Sequence, residues 1–143
     1  MIMKEHESIA PDLSEWIVIV GGGFAGVTLA QRLERLLPAH MGIVVLSAEN
    51  HLVFTPMLPE VVGRTISPLH FVVAGRQLTR RTQWLEACVN RIDRERNEPH
   101  YDRPDGTTAS MRYTHLAVAC GAAANLAEIP GLASRGLCLE VGH

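Results

Sequence analysis

Only three cysteines, Cys88, Cys120 and Cys138, occur in the 143 residues. They lie far apart, their number is odd and no Cys-x-x-Cys is formed. That excludes a disulfide framework and a thioredoxin-like redox pair, and it fits a reducing compartment. Charge of a single sign is also missing: with a net charge of -2 and a pI of about 6.4, nothing pulls the chain towards nucleic acid. The arginine groups Arg76/Arg80/Arg81 and Arg91/Arg94/Arg96 are interrupted by apolar or acidic residues and read as solvated faces. No uncharged run reaches membrane length. The longest, Trp16 to Ala30, is broken by glycines and falls short of the roughly 20 residues of a spanning helix. The 7 histidines show neither HxxxH nor HExxH spacing and none pairs with a nearby cysteine, which argues against a metal centre.

What is present is a globular composition, 47% hydrophobic and 20% charged. A chain of this length forms one domain that buries roughly 68–70% of its unfolded surface. Residues 1–15 carry charge throughout, lack the apolar block of a secretory signal and are expected to form a flexible leader. After them comes "WIVIV", the all-apolar, β-branched run of a strand buried on both faces of a parallel sheet. Three glycines follow, and then Ala25, Leu29, Leu33, Leu36 and Leu37 recur at helical spacing until Pro38. In this strand, turn and helix, Gly21-x-Gly23-x-x-Gly26 matches the dinucleotide fingerprint. Its first glycine makes the tight turn, its second lets the backbone approach a pyrophosphate and its third lets helix and strand pack closely. Phe24 and Ala25 open the helix, whose free N–H groups and positive end would face the phosphates, and Ala30 continues the small face towards the sheet.

A second strand, "IVVLS" from Ile43 to Ser47, follows at the distance of a βαβ unit. An acid is expected at its end to hold the ribose. Ser47 stands there, and the nearest carboxylate is Glu49. Either can accept a ribose hydrogen bond, and Glu49 reads equally as a solvent-facing loop acid. Two prolines, Pro56 and Pro59, then interrupt regular structure within Phe54-Thr55-Pro56-Met57-Leu58-Pro59-Glu60. This segment resembles the F-x-P-L-L-P-E stretch of the type II NADH dehydrogenases, flavoproteins of the pyridine nucleotide-disulfide reductase fold. In that family the stretch lies along the flavin, and members with serine at the position of Ser47 are familiar.

The resemblance extends over nearly all of Trp16 to His143. In "SPLHFVVAGRQLTRR", Ser67 can cap and Pro68 can open a helix. "TQWLEACVNRIDRERN" reads as a strand with a polar end, and Asp105-Gly106 as a turn joining "EPHYD" and "ASMRY" in a hairpin-like meander. "HLAVACGA" matches the family's returning strand and its A-T-G-like turn, with Cys120 where threonine is commoner. "ANLAEIPGLASRGLCLEVGH" resembles the connector into an NADH-binding domain. The expected fold is α/β: a Rossmann-like FAD-binding domain over 16–131, a parallel sheet with helices plus a small antiparallel meander. It is expected to be incomplete at its C-terminal end, with 132–143 starting the connector.

The resemblance implies electron transfer from NADH through FAD to a quinone, with no side chain here acting as general acid or base. It places Gly21, Gly23 and Gly26 at the pyrophosphate, Ser47 or Glu49 at the adenosine ribose, Val89 by its backbone at the adenine, Thr55 and Pro56 by the ribityl chain and ring, and Cys120 and Gly121 by backbone near the pyrophosphate. Cys120 and Cys88 read as small buried core residues, because no neighbouring base would lower a thiol pKa. His51 reads as a surface residue of the flavin-side loop. No second GxGxxG follows Gly26. The family's second fingerprint, its later Gly-Asp turn and its membrane-attaching helices are expected to lie outside this chain. Membrane contact would then come only through absent parts, and a second chain could complete the domain. The implied location is cytoplasmic, peripheral at the inner face of a membrane in the complete enzyme. Two alternatives stay open: a non-catalytic nucleotide-binding remnant, and a flavoprotein like the sulfide:quinone oxidoreductases.

Overall fold

A computed structural model describes residues 15–64, 67 and 72–122. From the first described residue the order is β1 (Glu15–Val20), α1 (Phe24–Leu36), β2 (Met41–Ser47), β3 (His51–Val53), a 3-10 turn (Thr55–Met57) and α2 (Leu58–Val62). After these come β4 (Val72–Ala74), α3 (Gly75–Leu78), β5 (Gln83–Glu86), β6 (Cys88–Asp93), β7 (Glu98–Asp102), β8 (Thr108–Ser110) and β9 (His115–Val118).

Four strands form a parallel sheet in the order β5-β2-β1-β9. Val18 stands opposite Val44 and Leu116, and Ile19 opposite Val45 and Ala117. The apolar run needs no alternation because both faces are covered. On one face Ile19, Ile43 and Val45 pack with Ala30 of α1 and with Leu29, Leu33 and Trp84. On the other, Val18, Val20, Val44 and Leu46 share a core with Ala87, Tyr101 and Met111. The second face is roofed by an antiparallel sheet in the order β6-β7-β8. A two-stranded antiparallel pair joins β3 to β4. The expected parallel sheet, helices and meander are therefore all present among the described residues.

The sequence expectations differ from the structure at a few joints. Helix α1 begins at Phe24 and ends at Leu36, one residue ahead of the periodic pattern at each end. The stretch read as one strand from Thr82 is two, because Ala87 turns the chain from the parallel sheet into the meander, its N–H donating to the Ser47 carbonyl at 2.7 Å. Strand β8 runs from Thr108 to Ser110, so it covers only the first two residues of the stretch read from Ala109 to Tyr113. The chain leaves it at Met111, and the Tyr113 N–H donates to the Asn97 carbonyl at 2.9 Å. A helix start at Pro68 lies outside the described residues, and the segment beyond it forms β4 before a single turn of helix at Gly75–Leu78. Cys138, residues 1–14 of the leader and the connector also lie outside them, whereas Glu15, read as the last leader residue, opens β1 opposite Met41.

One arginine expected on a solvated face is structural instead. The Arg81 guanidinium donates to the carbonyls of Leu37, Pro38 and Met41 at 2.9–3.2 Å, tying together the turn that joins α1 to β2. Its backbone is held by Glu34, whose carboxylate accepts the N–H groups of Arg80, Arg81 and Thr82 and the Thr82 hydroxyl. Burial works against the Glu34 charge, but these four donors outweigh it and hold the carboxyl below the ordinary glutamate range. The clamp fixes the C-terminal end of α1 against the segment entering β5.

Candidate functional site

The chain runs from β1 to β2 and β5 on one side, then returns to add β9 on the other side of β1. Such a reversal opens a crevice at the carboxyl ends of the central strands, where open α/β sheets bind their ligands. The glycine turn sits in that crevice. Gly21 has φ +107°, a left-handed conformation that glycine adopts without a Cβ penalty. A Cβ there would also run into the Ala119 carbonyl. Its N–H donates to the Leu46 carbonyl at 2.8 Å, while the Ala119 N–H donates to the Val20 carbonyl at 2.7 Å, so the turn is pinned between β2 and the end of β9. A Cβ on Gly26 would meet the Gly21 carbonyl, which is the close helix-to-turn approach that the third fingerprint glycine permits.

Gly23 faces open space, with nothing within 4 Å of a Cβ placed on it. It is also the N-cap of α1, whose first turn has neither a side-chain cap nor an acidic residue. The first-turn N–H groups of a helix have no carbonyl partners of their own. Here they face the open space above Gly23, an arrangement suited to an anion.

Gly22, the middle glycine, lies outside the fingerprint. A Cβ on it would fall 2.7 Å from Ser47 Oγ and 2.8 Å from the Trp84 ring. The same ring occupies the space a Cβ on Gly75 would need. Trp84 is thus a wedge under the phosphate turn, with Nε1 donating to the Thr79 hydroxyl at 2.9 Å. Sequence reading passes over it, because its significance lies in pairing across strands. The run of three glycines is the one signal that something bulky lies beneath.

At the adenosine end, Ser47 closes β2 beside the glycine turn. Glu49 is engaged with His51, whose Nε2 lies 3.0 Å from Glu49 Oε2, and both side chains are about one-third exposed. His51 therefore opens β3 in contact with an acid. Val89 lies past the Ala87 turn, on the meander side, packed against the core shared with Tyr101. The structure does not bring it into contact with the glycine turn.

At the flavin-side segment, Thr55 and Pro56 form an exposed 3-10 turn. It is tied to the fingerprint by an edge-to-face contact between Phe24 and Phe54, ring centroids 5.6 Å apart at 80°. Cys120 and Gly121 follow β9, and the Cys120 backbone nitrogen lies 3.0 Å from a Cβ placed on Gly21. Cys120 and Cys88 are nevertheless exposed, contrary to the buried-core expectation. Cys120 sits beyond the carboxyl end of β9, its thiol 3.7 Å from the Val20 carbonyl. Cys88 points outwards because its neighbour Val89 takes the inward position. Among the described residues no group of histidine, cysteine or acidic side chains could hold a metal, and no helix is long and apolar enough to cross a membrane.

The family model described as pyridine nucleotide-disulphide oxidoreductase matches residues 16–141. Among curated proteins, the mitochondrial external alternative NAD(P)H-ubiquinone oxidoreductase B2 of Arabidopsis thaliana is 28% identical over 125 residues, 81% of this chain and 21% of that protein. Among solved structures, the CoADR-RHD of Bacillus anthracis superposes with a TM-score of 0.73 at 23% identity, covering 84% of this chain and 23% of that one. NDH2 of Plasmodium falciparum, solved with NADH, superposes with a TM-score of 0.71 at 21% identity, covering 84% and 25%. The chain thus spans about a fifth of the curated relative's length.

Proposed function

The chain belongs to the pyridine nucleotide-disulphide oxidoreductase family, and on that premise we propose that it forms the FAD-binding part of an NADH:quinone oxidoreductase. The observation that carries this reading is the pinned glycine turn at the strand reversal, with open space at Gly23 in front of an uncapped helix. These residues fit an FAD pyrophosphate, since the backbone can approach without a Cβ in the way and the helix end favours an anion. The name of the Arabidopsis relative and the FTPMLPE segment support the choice of NADH and quinone.

Gly21, Gly23 and Gly26, with Phe24 and Ala25, cradle the pyrophosphate, and Cys120 and Gly121 close its far side through their backbone. Ser47 or Glu49 serves the adenosine ribose and Val89 the adenine. Thr55 and Pro56 lie along the ribityl chain and ring, held to the fingerprint through the Phe24–Phe54 contact. When bound, the flavin supplies the hydride and electron chemistry between NADH and the quinone. The chain contributes binding, orientation and electrostatics, and none of its side chains acts as general acid or base. Residues 16–131 make up this domain and 132–143 lead towards an NADH-binding one. The working location is cytoplasmic, at a membrane reached through other parts of the enzyme, whereas the Arabidopsis relative is named as mitochondrial.

The test is to purify the chain, record its visible absorption, denature it and identify any released cofactor by chromatography. Stoichiometric FAD is expected. A folded, colourless protein that takes up no added FAD overturns the reading.

A further inference from the structure

The usual acceptor of a dinucleotide's ribose hydroxyls is a carboxylate at the end of the second strand, where this chain has Ser47. The geometry points to Glu86, at the end of the neighbouring strand β5, as the carboxylate that takes that role. This inference rests on the flavin-binding reading above.

Ser47 and Glu86 are register partners in the parallel pair β2–β5, so their backbones lie about 4.8 Å apart and their side chains leave the same face of the sheet. That face is the one carrying the glycine turn. Val45 and Trp84, each two residues earlier, pack on the α1 side, and the strand period of two returns Ser47 and Glu86 to that side. Ser47 Oγ is already next to Gly22. Glu86 is exposed and oriented: Asn50 Nδ2 donates to its Oε2 at 3.0 Å. Asn50 is itself held, its carbonyl accepting the Gly75 N–H at 2.8 Å. The other carboxylate oxygen accepts no hydrogen bond among the described residues and is free for a hydroxyl. Glu49, two residues beyond Ser47 in sequence, is engaged with His51. The acid missing from the linear motif is thus supplied laterally, with Asn50 as its positioning residue.

The experiment measures binding of FAD and of its 2′-deoxyadenosine analogue to the full chain and to Glu86→Gln, Glu49→Gln and Glu86→Asp. Glu86→Gln is expected to weaken FAD about tenfold, the scale of one hydrogen bond to a charged acceptor, and to leave the deoxy analogue nearly unchanged. Glu49→Gln, at the acid engaged with His51, is expected to weaken FAD less than Glu86→Gln does. Equal weakening of the two ligands by Glu86→Gln, unaltered FAD binding, or a loss confined to Glu49→Gln each overturns the assignment. Should Glu86→Gln fail to fold, Glu86→Asp keeps the charge but shortens its reach. It is expected to lower the preference for FAD over the deoxy analogue about threefold, and an unchanged preference overturns the assignment. A wild-type chain that binds neither ligand overturns the flavin reading and this inference with it, whereas binding of both with equal affinity overturns only this inference.

Discussion

At its phosphate end the candidate site offers backbone, and at its adenosine end it offers side chains gathered from separate segments. Gly21, Gly23 and Gly26 lie within six residues, and their roles follow from where a Cβ would and would not fit. Ser47, Asn50 and Glu86 come from β2, the loop after it and β5, and meet only because the two strands are in register. A contiguous backbone site can be read along the chain. A lateral one cannot be read until pairing is known, because a slip of one residue would turn Glu86 to the other face.

Substitutions at the two ends can break or sharpen this contrast. The largest effect is expected from Gly26→Val, whose side chain must displace the Gly21 carbonyl and separate helix from turn. A loss of about 3 kcal/mol or more, the upper range for overpacking, together with loss of bound flavin, would appear in denaturant unfolding and cofactor content. A variant as stable as the parent would show that close backbone approach is not what the glycine serves. Next comes Trp84→Ala, which empties the wedge under Gly22 and Gly75. Because the ring is half-buried, about 2 kcal/mol is expected, below the range for fully buried tryptophan. If the glycine turn is self-supporting, flavin affinity will survive this change; a loss of affinity exceeding the loss of stability would join the two ends through Trp84.

The smallest effect is expected at the clamp behind both ends. Glu34→Gln should cost about 1 kcal/mol, the value of hydrogen bonds to a charged group discounted for a partly solvated site. The folded protein holds the Glu34 carboxyl below its ordinary value, so its contribution is present above the ordinary glutamate range and is lost as the pH falls through the depressed one. Thermal melts of parent and variant should therefore converge in acid and separate near neutrality. Parallel curves at all pH values would remove the charge from the account.

Much of the fold was legible because local signals agreed with one another. The apolar β1 run, the glycine turn, the α1 periodicity and Asp105-Gly106 each stand at the predicted place or within a residue of it. What was not legible depended on partners distant in sequence. The composition around Ala87 looks like one continuous strand, and only packing of Ala87 under the meander ends β5 there. Arg81 looks like any surface arginine until the carbonyls of Leu37, Pro38 and Met41 are brought to it. Residue type alone suggests burial for Cys88 and Cys120, whereas strand alternation and the end of β9 decide their exposure.

The turn at Ala87 has a consequence for cooperativity. A single extended segment belongs first to the parallel sheet and then to the meander, and both sheets contribute to one apolar cluster through Val18, Val44, Leu46, Tyr101 and Met111. No seam separates the two layers, so the meander cannot peel away without wetting the inner face of β1 and β2. In native-state hydrogen exchange the amides of β7 and those of β1 then belong to one opening unit, and the outer layer inherits the protection of the inner one.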